Sequence, residues 1–242
     1  MFRLILLLLV VIVAGCAAGP EVAPLRASVV YPPRGVGSAV GAVVWLHGGV
    51  SPGQFETAET PDGQPAPDWL GRLAALGWDV WRYNRTPGRD PLAEGEAGTI
   101  RGLEGLHAAG YRRVIVAGFS RGAFIGMVAL GRPDLVEGVV LLSPAAHGTR
   151  AERREAAIAD FGARLAAARG PMRVALVQFD DDPFDPDPAL RGRMMREAAG
   201  RAGMALLHID RPALPTGHMG SFEPAFDAAF GAALARFATG GR

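Results

Sequence analysis

Cysteine is almost absent. Cys16 is the only one in 242 residues, so no disulfide can form within the chain. An excess of charge is missing too. Lys plus Arg total 25 against 24 for Asp plus Glu, and such balance leaves no electrostatic footprint for nucleic acid. Lysine does not occur: every basic side chain is arginine, a usage that goes with abundant alanine and carries no functional reading. The apolar run over residues 4–14 falls short of the roughly 20 residues that span a bilayer. There is no internal repeat, no His/Cys/Asp cluster with metal-ligand spacing, and no Gly-x-Gly-x-x-Gly or Lys-Ser/Thr phosphate signature. Metal, cofactor and nucleic acid are therefore not expected.

What is present centres on one stretch. Val114-Ile115-Val116-Ala117 reads as a buried strand. Gly118-Phe119-Ser120-Arg121-Gly122 follows, and then an apolar segment with helical spacing. A Gly-x-Ser-x-Gly pattern at a strand-to-helix turn puts the serine on a sharp bend with its Oγ clear of the sheet. Side chains at either glycine would crowd the neighbouring strand or helix.

The rest of the chain supplies alternating elements. Strands are expected over 27–31, 42–46, 78–83, 113–117, 138–142, 173–179 and 205–209. Helices are expected over 68–76, 94–109, 121–130, 152–169, 189–202 and 223–237. Residues 51–67 form a long polar loop. Seven strands interleaved with helices predict an α/β class protein, with a mostly parallel sheet covered by helices on both faces. Its length suits one domain.

The N-terminus has its own pattern. Arg3 precedes the apolar run 4–14, as in a signal-peptide h-region. Val13-Ala14-Gly15-Cys16 then resembles the lipobox of bacterial lipoproteins. That resemblance implies a signal peptide over 1–15, lipidation of Cys16, a tether over 16–26, and a membrane partner reached through the lipid. More than one acyl chain on a residue gives firm anchoring. Ala17, in place of aspartate, points by the same resemblance toward the outer membrane, with the domain facing the periplasm.

A serine nucleophile needs a base, an orienting acid and oxyanion donors. Of five histidines, His218 sits after the last strand between glycines, where a base belongs. His107 reads as a surface or capping residue, His208 as a strand residue, and His47 as holding a glycine turn. His147 could line the cleft. The acid is expected in the loop Asp180-Asp181-Asp182-Pro183-Phe184-Asp185-Pro186-Asp187. Asp-Pro pairs favour turns, so most of these aspartates read as solvated turn formers.

In this order of elements, residues 27–237 resemble an α/β-hydrolase near the dienelactone-hydrolase and small-esterase branch. The resemblance implies the α/β-hydrolase fold over 27–242, with a small cap segment near 144–170. It aligns Asp182 with the triad acid, although Gln178-Phe179 stands where that family has His-Gly. Asp181 and Asp185 stay open. It also assigns the oxyanion hole to the amides of Arg121 and Gly49, with Val50 as the alternative to Gly49. Arg82, Tyr83, Asn84 and Arg85 end a strand read as lying beside the elbow strand, and are candidates to line the acyl or alcohol pocket or to be solvated loop residues. The function so implied is a lipid-anchored serine hydrolase of the bacterial envelope acting on a small-molecule or lipid-like acyl substrate. The alternatives are a peptidase or amidase using the same triad and a non-catalytic binding lipoprotein on a retired hydrolase fold, for which the irregular Gln178-Phe179 and the aspartate cluster speak.

Overall fold

The computed structural model describes residues 22–49, 66–85 and 91–241. The signal-peptide and lipidation readings, Val50 and most of the 51–67 loop lie outside these residues.

Seven strands form one sheet in the order β1-β3-β2-β4-β5-β6-β7. They are β1 (Arg26–Ala27), β2 (Gly41–Leu46), β3 (Trp78–Tyr83), β4 (Val114–Phe119), β5 (Gly138–Leu142), β6 (Arg173–Gln178) and β7 (Ala205–Asp210). Only β1 is antiparallel; it pairs with β3. The remaining neighbours are parallel and in continuous register, with Leu46 beside Gly118 and Phe119 beside Leu142. This is the doubly wound sheet that the alternation predicts.

Side-chain alternation along the strands sorts the core into two layers. Val44, Leu46, Val116, Leu141 and Leu176 face one side with Leu103, Phe124, Phe161 and Met195. Val43, Trp45, Ala117, Val140 and Val177 face the other with Trp69, Leu73, Phe226 and Leu234. The first layer is closed by α2 (Leu92–Ala108), α3 (Arg121–Gly126), α4 (Arg154–Ala166) and α5 (Pro188–Ala202). The second is closed by α1 (Asp68–Ala75) and by α6 (Pro224–Phe226), which continues through a π segment (Asp227–Gly231) into α7 (Ala232–Thr239). Central parallel strands are buried on both faces, which is why they read as continuous apolar runs.

Some boundaries differ from expectation. β1 is two residues long, because the backbone leaves the β3 edge after Ser28, whose Oγ accepts the amide of Tyr31 at 3.1 Å. The helix expected over 121–130 is α-helical only to Gly126 and tightens into a 3₁₀ turn, Met127–Gly131. Val22 and Leu25 are buried against α2, so part of the stretch read as tether is packed on the domain. β3 neighbours β2 rather than the elbow strand, which moves Arg82–Arg85 one strand further from Ser120 than the sequence reading placed them.

The strand order reverses between β2 and β4, since β3 lies on one side of β2 and β4 on the other. In open α/β sheets the crevice at such a switch point, outside the carboxyl ends of the strands, is where sites form. Here those ends carry His47-Gly48-Gly49 and Ser120. Trp45, wholly buried one step before this edge, anchors β2 in the second layer. Trp45→Ala should cost about 3–5 kcal/mol of stability, read as a lower urea midpoint at unchanged m-value; a loss under about 1 kcal/mol would contradict this packing.

Candidate active site

Ser120 occupies the turn between β4 and α3 at φ 52°, ψ −119°. A left-handed φ at a residue with a side chain is strained and persists only where the surroundings hold it. Here they do so through backbone bonds: Ser120 N–H donates to the Leu142 carbonyl at 2.9 Å, and Ala145 N–H donates to the Ser120 carbonyl at 3.1 Å. Both glycines have steric causes. A Cβ on Gly118 would lie 2.6 Å from the Gly122 carbonyl carbon, and a Cβ on Gly122 would run into the carbonyl oxygens of Leu46 and His47. The elbow thus passes at backbone contact over the end of β2.

The candidate acid and base lie in the loops after β6 and β7. After β6 the chain makes a tight turn in which the Asp182 carboxylate accepts the Phe184 amide at 2.9 Å. After β7, His218 Nδ1 lies 2.9 Å from both Asp182 oxygens, with the side chains 13% (His218) and 2% (Asp182) exposed. The two loops are also tied by the Gly217 amide, which donates to the Asp180 carbonyl at 2.7 Å. The imidazole lies between two rings, Phe184 at 4.4 Å and Phe119 at 4.9 Å between centroids. Phe119 immediately precedes Ser120, so this contact sets the histidine beside the elbow. A buried carboxylate accepting the Nδ1–H fixes the tautomer that leaves Nε2 as the acceptor.

The competing aspartates have other partners or positions. Asp185 pairs with Arg191 at 3.0 Å and accepts Gln178 Nε2 at 2.7 Å. Asp181 is exposed at φ 60° in the turn. Asp187 caps α5 by accepting the Leu190 amide. The remaining histidines are likewise accounted for. His107 meets the Leu135 carbonyl at 2.8 Å. His208 meets Gln178 and Arg196, each at 2.9 Å. His147 lies 2.9 Å from Asp160, with Phe124 against its ring; it touches α4 and is not brought to Asp182.

His47 is fully buried and holds its turn as expected. Its Nδ1–H donates to the Gly48 carbonyl at 2.7 Å, and its Nε2 accepts the Arg85 amide at 3.2 Å. Arg85 adds Nη2 bonds to the carbonyls of His47 at 2.8 Å and Gly48 at 2.9 Å. The sequence reading offered Arg85 as a pocket or loop residue. Instead it is buried and ties down the His47-Gly48 backbone, a role that no local sequence signal announces. Gly49, the oxyanion candidate of this turn, is exposed at the end of β2, the strand beside the elbow strand. The other candidate, Arg121, opens α3, and its side chain donates to the Ala146 carbonyl at 3.4 Å. Among the described residues no group of three or more His, Cys, Asp or Glu is placed to hold a metal ion.

The sheet and the serine elbow define an α/β-hydrolase fold. Solved structures of the same shape include the Pyrococcus furiosus esterase Pf2001, at TM-score 0.57, 14% identity and coverage of 82% of this chain and 81% of that one. A candidate dienelactone hydrolase from Klebsiella pneumoniae is similar at TM-score 0.55 and 14% identity, covering 87% and 90%. An acylaminoacyl peptidase from Pyrococcus horikoshii is similar at TM-score 0.57 and 13% identity, covering 83% of this chain but 37% of that one. No protein-family model and no curated protein sequence matches the chain.

Burial, and next the charge of Arg85, push the His47 imidazole down from 6.5 to about 3. The unfolded chain therefore takes up this proton first as pH falls. The stability due to neutral His47 is fully present above about pH 6.5 and is lost toward pH 3, at about 1.4 kcal/mol per pH unit within that window. His47→Gln should remove that increment. Urea unfolding of both proteins between pH 7 and pH 4 reads it as a shallower pH dependence in the variant, and equal slopes would refute the assignment.

Proposed function

We propose that the protein is a serine hydrolase that cleaves carboxylic esters or related acyl bonds through an acyl-enzyme. The observation that carries this reading is a strained Ser120 next in the chain to Phe119, whose ring lies against a histidine with its Nδ1 held by a buried aspartate. Ser120 Oγ attacks the acyl carbon while His218 Nε2 takes its proton, and the carbonyl oxygen becomes an oxyanion. Collapse of that intermediate breaks the bond to the leaving group, which receives the proton from His218. Water then attacks the acyl-enzyme with His218 again as base, releasing the acid and restoring Ser120. Asp182 keeps the tautomer and offsets the charge of the imidazolium. The amides of Arg121 and Gly49 serve as oxyanion donors. Backbone donors suit this task because they are fixed before reaction.

Ester cleavage is preferred to amide cleavage on the likeness to Pf2001 and to the candidate dienelactone hydrolase, whose lengths this chain matches. Amide cleavage would run through the same acyl-enzyme. Ser120→Ala should lower p-nitrophenyl ester turnover by about three or more powers of ten and abolish fluorophosphonate labelling, and Asp182→Asn should lower turnover by about four. Wild-type protein that takes no fluorophosphonate adduct on Ser120 would instead favour a binding protein on a hydrolase fold.

The second part of the proposal is anchorage in the bacterial envelope through a lipidated Cys16, with the domain on the periplasmic side. It rests on Arg3, the apolar run 4–14 and Val13-Ala14-Gly15-Cys16. Val22 is buried, and the six residues from Cys16 to it extend at most about 20 Å, which would keep the catalytic domain close to the membrane surface. Cys16→Ser should abolish incorporation of radiolabelled fatty acid and move the protein out of the membrane fraction. Equal labelling of variant and wild type would refute this.

A further inference from the structure

The loop carrying Asp182 is fastened by a buried ion pair that the proposed reaction does not use. Arg191 Nη1 lies 3.0 Å from Asp185 Oδ1, and the side chains are 2% and 4% exposed. Arg191 Nη2 donates to the Pro144 carbonyl at 2.7 Å, and the guanidinium lies 4.1 Å over the Phe161 ring of α4. One helix residue thus touches the acid loop, the loop after β5 and α4. The second Asp185 oxygen accepts Gln178 Nε2 at 2.7 Å. Gln178 Oε1 in turn lies 2.9 Å from His208 Nε2.

The connections continue to the reacting groups on both sides. Asp185 N–H donates to the Asp182 carbonyl at 3.2 Å, and Ala145 N–H, next to Pro144, donates to the Ser120 carbonyl at 3.1 Å. Arg191 therefore bridges the segment that holds the nucleophile and the segment that holds the acid. Stability alone is a poor account of such a pair, because desolvating two charges costs about as much as their attraction returns, and apolar residues of similar volume often serve the fold as well. Arg191 also leaves Nε buried without a partner. What a planar guanidinium adds is direction: its fork fixes two acceptors relative to each other.

The geometry points to Arg191, with Asp185 as its counter-ion, as a positioning residue that sets the acid Asp182 against the serine elbow. This rests on the hydrolase reading with Asp182 as the triad acid. Arg191 touches no substrate and acts through Asp182 and His218. The lysine variant keeps a charge but lacks the fork, so it restores only part of the function.

The test uses the full chain and counts active sites with a fluorophosphonate. The pair variant Asp185→Leu/Arg191→Met fills the space without an unpaired charge, so it folds where either single change would strand one. Its kcat per titrated site should fall about tenfold or more with KM within about twofold, and Arg191→Lys should lie between it and wild type. In an Asp182→Asn background the same pair of changes should cost less than about twofold, because the effect passes through Asp182. Multiplicative losses, or an unchanged kcat per site, would overturn the inference. Nitrogen-15 histidine NMR needs no substrate: His218 should hold the Nδ1–H tautomer in wild type and shift toward Nε2–H in the pair variant. An unchanged tautomer overturns the positioning role, whereas absent turnover by wild type sinks the hydrolase reading and leaves the NMR result to decide the positioning.

Discussion

The site depends on the close approach of the Gly122 backbone to the carbonyls of Leu46 and His47, into whose oxygens a Cβ there would run. It lets α3 start directly over the end of β2, and the turn before it must then be short enough to force Ser120 into a left-handed φ. That conformation costs of order 1–3 kcal/mol. It is held by the carbonyl of Leu142 and the amide of Ala145, which belong to β5 and its following loop. The strain is thus supported from both neighbouring strands, and the serine stands where the strand order reverses.

Around the elbow the structure keeps its buried polar groups in two kinds. Some are made neutral or matched. His47 is one, with both ring nitrogens used on backbone. The Asp185–Arg191 pair is another, with its charges facing each other in the interior. The dyad His218–Asp182 differs, because its carboxylate is buried and matched while the imidazole keeps one nitrogen unassigned. His147–Asp160 is a second histidine–aspartate contact, but Asp160 is 49% exposed on α4. A solvated carboxylate holds an imidazole less firmly, since water competes for the same proton. Burial of the acid, rather than the contact alone, separates the two.

Much of this was legible in the chain. Strands 78–83 and 138–142 and the serine elbow were readable because they are local: a run of apolar residues bounded by turn formers, and glycines where backbones must touch. His218 was readable from its glycine flanks and its place after the last strand. A candidate acid was harder to single out, because five aspartates in one loop share the same local chemistry. What separates Asp182 from Asp185 is Arg191, a partner on the following helix that the loop sequence does not disclose. Arg85 was misread for the same reason. Its work on the His47-Gly48 turn depends on β3 lying against β2, a sheet-order fact that no single segment contains.

The departure at Gln178-Phe179 shows how such non-local facts change an inference. Where the resembled pattern has His-Gly, this chain has a large ring, and taken alone that loss counted toward a retired site. Phe179 is buried against Phe226 with ring centroids 5.7 Å apart. A Cβ on Gly220 would come within 2.8 Å of that ring. The space that a glycine at 179 would leave open is therefore filled from the acid strand, and the glycine needed for close packing stands in the histidine loop instead. Gln178, the other departure, turns its amide to Asp185 and His208, away from the His218–Asp182 contact. Both substitutions have a packing or hydrogen-bonding partner that accommodates them, and the acid-to-histidine geometry is kept. The irregular pair is thus accommodated in this fold by ring packing at Phe179 and by hydrogen bonds at Gln178.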